Sequence, residues 1–392
     1  MLSIGLLAPE FTDQSGGMQE MARELVPRLS REARCVVFAR PDRTIPTSPV
    51  PVRQVLRGDM RDVGAVLAAA PQPDVWLALN AGLAAVAPLL PAPMVVYVNG
   101  NDLLDPWFGY PSTVAMLLRG VPYTYSLRAR LRRRALRRSV AGGIRAARTV
   151  VANSHNTARI VRARIGTACP PTGVVEPGVA DAYFAPRIDT HAVTGRPLHV
   201  LTVARLSAAT RRKNVDGVLH AIASLPQEVV SHYTVAGDGT DRERLEGVAA
   251  SLGIAGRVTF AGSLDRERML AAYRQADLMV LAARSTPHDV EGFGIVYLEA
   301  SASGVPVVAS REGGSTDAVV EGENGIVIPD SSPQSIADAI RAVHTGRVTI
   351  HAGRARAVAE RYRWDAVTGR FLRQLYLASG KAEPDAAVAA PA

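Results

Sequence analysis

Apolar residues fall along this chain in two alternating patterns. Short, nearly unbroken apolar runs predict strands at 2–8, 34–39, 75–79, 94–98 and 149–152, and again at 198–203, 232–236, 257–261, 278–282 and 305–309. An unbroken run, rather than an alternating one, suits a parallel strand covered on both faces. Between the runs the apolar positions take the helical period. Met18, Met21, Ala22, Leu25, Val26 and Leu29 make one face, and Val215, Val218, Leu219 and Ile222 another. Strands alternating with helices predict an α/β protein built on parallel sheets. Two such series of about 180 residues each predict two doubly wound domains, at 1–180 and 198–360. The stretch 181–197, with its Pro, Gly and charged residues, reads as the linker. Trp364, Val367, Phe371, Leu372 and Leu375 mark a last helix within 361–378, and 379–392 reads as a disordered tail.

Composition removes several function classes. With 47% hydrophobic and 21% charged residues, the 392-residue chain has the balance of a folded protein. Its two cysteines, Cys35 and Cys169, supply neither a disulfide framework nor a zinc set, which suits a reducing compartment. The longest uncharged run, between Asp74 and Asp102, is cut by Pro88, Pro91 and Pro93 and does not read as a membrane span. The first residues lack the cationic start of a signal peptide, so a cytoplasmic protein is expected.

The net charge of +9 is unevenly spread: residues 106–175 hold thirteen arginines and no acid. Leu127, Leu131, Leu136 and Val140 mark the apolar side of a predicted basic helix there. Its arginines from Arg128 to Arg138 are either a solvated face or a docking face for an anionic membrane surface. Few aromatics are interleaved, which argues against a nucleic-acid partner.

Candidate chemistry gathers in the second half. Glu291-Gly292-Phe293-Gly294 leads into a helix predicted to begin near Phe293, with Glu299 about two turns inside it. The glycines permit close backbone approach, and the helix start offers unpaired N–H groups to an anion. Two glutamates at this spacing are, by themselves, equally a surface feature. Here the motif continues through Ala300-Ser301-Ala302-Ser303-Gly304-Val305-Pro306 to Gly313-Gly314-Ser315. Upstream stand Ala204-Arg205-Leu206, Arg212-Lys213-Asn214 and Ala236-Gly237-Asp238-Gly239. In these residues the chain resembles the retaining nucleotide-sugar glycosyltransferases of the GT-B fold, in their family-4 branch. The resemblance is dense from about Leu198 to Pro329 and weaker at Gly16-Gly17-Met18, Asn153-Ser154 and Glu176-Pro177-Gly178. The run around Glu291 is similar to bacterial mannosyltransferases acting on phosphatidylinositol.

The resemblance implies two Rossmann-like domains facing across a cleft, with the last helix crossing back to the first domain. It implies transfer of a hexose from a UDP- or GDP-linked donor to an acceptor hydroxyl. The catalytic set it implies is Arg205 and Lys213 on the leaving diphosphate and Glu291 on donor-sugar hydroxyls. Glu299 would hold the ribose, and the backbone of Gly292, Phe293 and Gly294 would face sugar and phosphate. Gly16 and Gly17 would approach the diphosphate, and Gly262 and Ser263 the base. Lys213 also stands out by composition: the chain has 43 arginines and two lysines, the other being Lys381 in the expected tail. No Asp-x-Asp triplet occurs, so neither a metal nor any other cofactor is expected.

One departure concerns the acceptor side. Relatives commonly carry His-Gly-x-Glu or His-Gly-x-Asp after the 94–98 strand, whereas this chain has Asn99-Gly100-Asn101-Asp102. Asn99 can orient a hydroxyl but cannot carry a proton near neutral pH. Asp102 then becomes the acidic candidate, or else a turn residue. His288 is a further sugar-side candidate, while Ser154 reads as a helix cap ahead of His155. The acceptor is left open among lipid-linked compounds, envelope glycans and small metabolites. The alternatives are an epimerase or phosphorylase of the same fold and a non-catalytic membrane-surface relative.

Overall fold

The long apolar runs become the central strands of two sheets in which every strand pair is parallel. The computed structural model describes residues 1–9, 11–12, 17–41, 44–56, 60–104, 127–185, 195–286 and 289–384, the side chains of 127–130 and 132–133 excepted. It divides into two compact units, Met1–Glu176 with the chain from Asp365 onward, and Pro177–Trp364.

In the first unit the strands are β1 (Leu2–Leu7), β2 (Ala33–Ala39), β3 (Val52–Gln54), β4 (Val75–Ala78), β5 (Met94–Val98), β6 (Thr149–Ala152) and β7 (Thr172–Val174). They lie in the order β3-β2-β1-β4-β5-β6-β7, which reverses between β1 and β4 as in a doubly wound sheet. β4 and β5 are wholly buried, as their unbroken apolar sequence requires. Gly5 lies beneath Trp76, whose ring would come within 2.5 Å of any Cβ there. The basic helix Leu127–Ala146 packs on the short helical segment Ala81–Leu89 at Gly143, where a Cβ would overlap the Ala84 carbonyl. The last helix, Trp364–Ser379, buries Val367, Phe371 and Leu375, and the Phe371 ring lies 5.2 Å from that of Tyr97.

In the second unit the strands are β8 (Leu198–Val203), β9 (Val230–Ala236), β10 (Val258–Gly262), β11 (Leu278–Leu281), β12 (Val307–Ser310) and β13 (Gly325–Ile328). Their order is β10-β9-β8-β11-β12-β13, and the reversal falls between β8 and β11. Ligands of such sheets bind outside the carboxyl ends of the strands at that reversal. The chain leaving β8, β11 and β12 is therefore where this unit's site is sought. Among the described residues no helix is long and apolar enough to cross a membrane.

Three departures from expectation have physical reasons. The edge strands β3, β7 and β13 were not foreseen, because they are only three or four residues long and mostly half-buried. The chain enters the second unit at Pro177 rather than after a linker starting at 181. Asp181–Phe184 forms a tight turn whose Tyr183 and Phe184 are buried, Tyr183 edge-on to Tyr273 at 5.7 Å. Two adjacent aromatics in so aromatic-poor a chain belong in a core, and 186–194 of the expected linker lies outside the described residues. Finally, Ser379 closes the last helix rather than opening a tail, and Lys381 Nζ lies 2.7 Å from Asp74 Oδ2; residues 385–392 lie outside the described residues.

Candidate functional site

The site begins with two glycines that let β8 run on past its neighbour. Ala204 N–H donates to Ala236 O at 3.0 Å and Leu206 N–H to Asp238 O at 2.9 Å. A Cβ on Gly237 or Gly239 would overlap the Ala204 or Leu206 carbonyl, so only glycine fits this approach. The chain then makes a short helical turn, Ala208–Lys213, that carries Arg211, Arg212 and Lys213 together. It ends at Asn214, the one non-glycine among the described residues with positive φ, at 58°. Asn214 is fully buried, and its Nδ2 donates to Ala282 O at 2.9 Å and to Ser331 O at 2.8 Å. Those two bonds anchor the basic turn to the end of β11 and to the segment after β13.

The segment after β11 brings the acids. Arg212 Nε donates to Asp289 Oδ1 at 2.6 Å and Arg212 Nη1 to Glu291 Oε2 at 2.8 Å. Lys213 Nζ donates to that same Oε2. The cluster is largely closed to water, with side-chain exposures of 7% for Glu291, 12% for Arg212 and 16% for Lys213. Both cations act on one oxygen. Glu291 Oε1 takes no partner among the described residues, yet is not sealed off. From behind, Gly314 N–H donates to Glu291 O at 2.7 Å, and a Cβ on Gly314 would overlap the Gly292 carbonyl.

Electrostatics follow from this packing. Burial alone would raise the Glu291 carboxyl, but the charges of Lys213 and Arg212 outweigh it and hold the group below the usual range. Burial lowers Lys213 despite the opposing pull of Glu291. Burial works against Arg212 too, but Glu291 and Asp289 raise it. A carboxylate fixed in its charged form with one oxygen open is a hydroxyl acceptor. Beyond it, the helix Ile295–Ala302 starts after Gly294, whose φ of 87° only glycine adopts freely. Glu299 therefore lies little more than one turn into the helix rather than two, and its Oε2 accepts from Tyr273 Oη at 2.9 Å.

Comparison with known proteins decides the family. The glycosyl transferases group 1 family matches residues 188–360, and glycosyltransferase family 4 matches residues 15–183. A GDP-mannose-dependent alpha-(1-6)-phosphatidylinositol monomannoside mannosyltransferase of Mycolicibacterium smegmatis is 32% identical over 287 residues, 64% of this chain and 71% of that one. The chain belongs to the family-4 glycosyltransferases. Its counterpart from Mycobacterium tuberculosis is 32% identical over 54% of this chain, which spans 59% of that relative's length. A D-inositol 3-phosphate glycosyltransferase of Geodermatophilus obscurus is 35% identical over 55% of this chain and 49% of its own. Among solved structures, a sucrose-phosphate synthase from Thermosynechococcus elongatus shares the fold at TM-score 0.73 and 20% identity, covering 96% of this chain and 100% of that one. This glycosyltransferase thus has the GT-B pair of Rossmann-like domains and draws on a nucleotide-sugar donor.

Within this glycosyltransferase the expected residues fare differently. Lys213 and Glu291 are joined, and Gly292, Phe293 and Gly294 follow on the same loop. Arg205 is exposed at the exit of β8, and among the described residues its guanidinium makes no ion pair. Gly262, at φ 69°, accepts from Gly237 N–H at 2.8 Å beside that exit, with Ser263 next in the chain. Arg212 was not among the expected residues: one more arginine in an arginine-rich chain carries no signal, except that it adjoins Lys213.

In the first unit Gly17 opens the helix Gly17–Glu32, while Gly16 and His288 lie outside the described residues. Asn99, half-buried at the end of β5, donates through Nδ2 to Leu79 O at 3.3 Å. Asp102, expected as an acidic candidate or else a turn residue, makes the contacts of the turn residue. It is buried, and its two oxygens accept from Ala81 N–H at 2.8 Å and Asn99 N–H at 2.9 Å. Burial pushes its carboxyl up against the effect of those bonds. Ser154 is the cap of the helix His155–Ile165, accepting from Thr157 N–H at 2.9 Å.

Proposed function

We propose that this glycosyltransferase moves a hexose from a nucleoside-diphosphate sugar to an acceptor hydroxyl with retention of configuration and without a catalytic metal. The observation that carries the reading is Glu291, fixed by two cations through Oε2 with Oε1 open. Oε1 accepts donor-sugar hydroxyls, Lys213 and Arg205 neutralise the diphosphate as the sugar–oxygen bond breaks, and Glu299 takes the ribose. The acceptor oxygen attacks on the face the diphosphate leaves and gives up its proton to it. Cationic groups then supply the charge stabilisation that a metal would otherwise give. The acids of this cluster, Asp289 and Glu291, are already engaged by Arg212 and Lys213.

GDP-mannose is the proposed donor and a phosphatidylinositol-type lipid the proposed acceptor, since the mycobacterial relatives named above carry both in their names, while the Geodermatophilus relative is named for D-inositol 3-phosphate. An anionic acceptor at a membrane surface also suits the Leu127–Ala146 helix, whose Arg134 and Arg138 are exposed. The test is transfer from GDP-mannose and from UDP-glucose to phosphatidylinositol vesicles, with and without a chelator, the product's anomeric configuration being read by NMR. An inverted product, or activity abolished by the chelator, contradicts the reading. So does unchanged turnover in K213A.

A further inference from the structure

Two cations on a single carboxylate oxygen are one more than a carboxylate needs. If Lys213 were the only partner of Glu291, turning it toward a diphosphate would leave a buried carboxylate uncompensated, which is costly. Arg212 removes that difficulty. It reaches Glu291 through Nη1 and Asp289 through Nε, and its carbonyl accepts from Arg284 N–H at 2.6 Å. One residue therefore ties together the turn after β8, the end of β11 and the acidic loop. A planar guanidinium can bridge two acids in this way, whereas an ammonium is a single point charge.

We infer that Arg212 is the positioning residue of this site, holding Glu291 charged and oriented while Lys213 passes from Glu291 to the donor's diphosphate. This rests on the donor site proposed above and adds an exchange of partners to it. The groups that face Glu291 are Lys213 and Arg212 from the turn after β8, Asp289 from its own loop, and the buried Tyr297 hydroxyl from the following helix. The Gly313–Gly314 turn presents backbone. Of these, Arg212 is the cation left beside Glu291 once Lys213 has moved.

The test is nucleoside-diphosphate affinity by calorimetry, using GDP and UDP, in wild type, R212Q, E291Q and the double variant. R212Q is expected to weaken binding by roughly 10-fold or more in the wild-type background, since Lys213 is then held by Glu291 alone. In the E291Q background the same change is expected to cost far less, because Lys213 is then no longer held by a carboxylate and only Asp289 is left for Arg212 to pair. An equal loss in both backgrounds overturns the inference. If K213A binds diphosphate as tightly as wild type, the donor-site reading itself fails, and that outcome is separate. In kinetics, R212Q is expected to move the acid limb of kcat/KM to higher pH, and R212K to leave it in place. Equal movement by both contradicts the role. Should R212Q not fold, R212K alone still decides: a lysine cannot bridge Asp289 and Glu291, so wild-type kcat/KM in R212K overturns the proposal.

Discussion

Each unit of this molecule buries a carboxylate just beyond the carboxyl end of a strand, and the two are solved in opposite ways. Asp102 in the first unit is wrapped by backbone N–H groups that take both oxygens. Glu291 in the second is held by Lys213 and Arg212 on one oxygen and left open on the other. Burial pushes Asp102 toward its neutral form; at Glu291 the two cations overcome burial and enforce the charged form. A saturated acid shapes a turn. An acid with a charged back and an open front can bind a ligand.

Substitution separates the two most sharply. Glu291→Ala should lower transfer by roughly 100-fold or more, the scale of losing one charged group poised at a reacting centre. Asp102→Asn should instead spare turnover of the folded protein and lower stability by about 1–3 kcal/mol, since its amide places a donor against a backbone donor. Denaturant unfolding alongside kinetics reads both. A turnover loss in D102N matching that of E291A would erase the distinction.

Acid should act on the two sites with opposite sign. Glu291 is depressed, so its contribution to stability is full above the ordinary carboxylate range and lost as pH falls through its folded value. Asp102 is raised, so protonation relieves a cost and its contribution improves as pH falls toward the unfolded value. Between pH 7 and 4, Tm should therefore fall less steeply in E291Q than in wild type, and more steeply in D102N. The reverse ranking would show that the two environments have been misassigned.

The smallest effect is expected at the exposed pair Lys381–Asp74, where the lysine is half exposed. Lys381→Ala should change stability by under about 1 kcal/mol, as surface pairs do. A larger loss in thermal unfolding would mean that the terminal segment braces the first unit more than its exposure implies.

The same contrast marks what was legible in the sequence. The central strands could be read because strands buried on both faces must be apolar throughout; β3, β7 and β13 sit at sheet edges and carry no such demand. Glu291 and Lys213 were legible from motif spacing and from the scarcity of lysine. Arg212 was hidden by the abundance of arginine, although it completes the ion-pair cluster. Asp102 stayed open between an acidic candidate and a turn residue, because the sequence places it after a strand but does not say which way its side chain turns. That direction is set by the N–H groups of Ala81 and Asn99, contributed partly from a distant segment.

Glu291 is held to read the sugar while Lys213 beside it serves the diphosphate. The most direct measurement is the affinity of wild type and E291Q for GDP-mannose and for GDP, taken side by side by calorimetry. The account predicts that E291Q loses most of the affinity that the sugar adds, while binding GDP at least as tightly as wild type because Lys213 is no longer engaged. Equal affinity of the two proteins for GDP-mannose would contradict it.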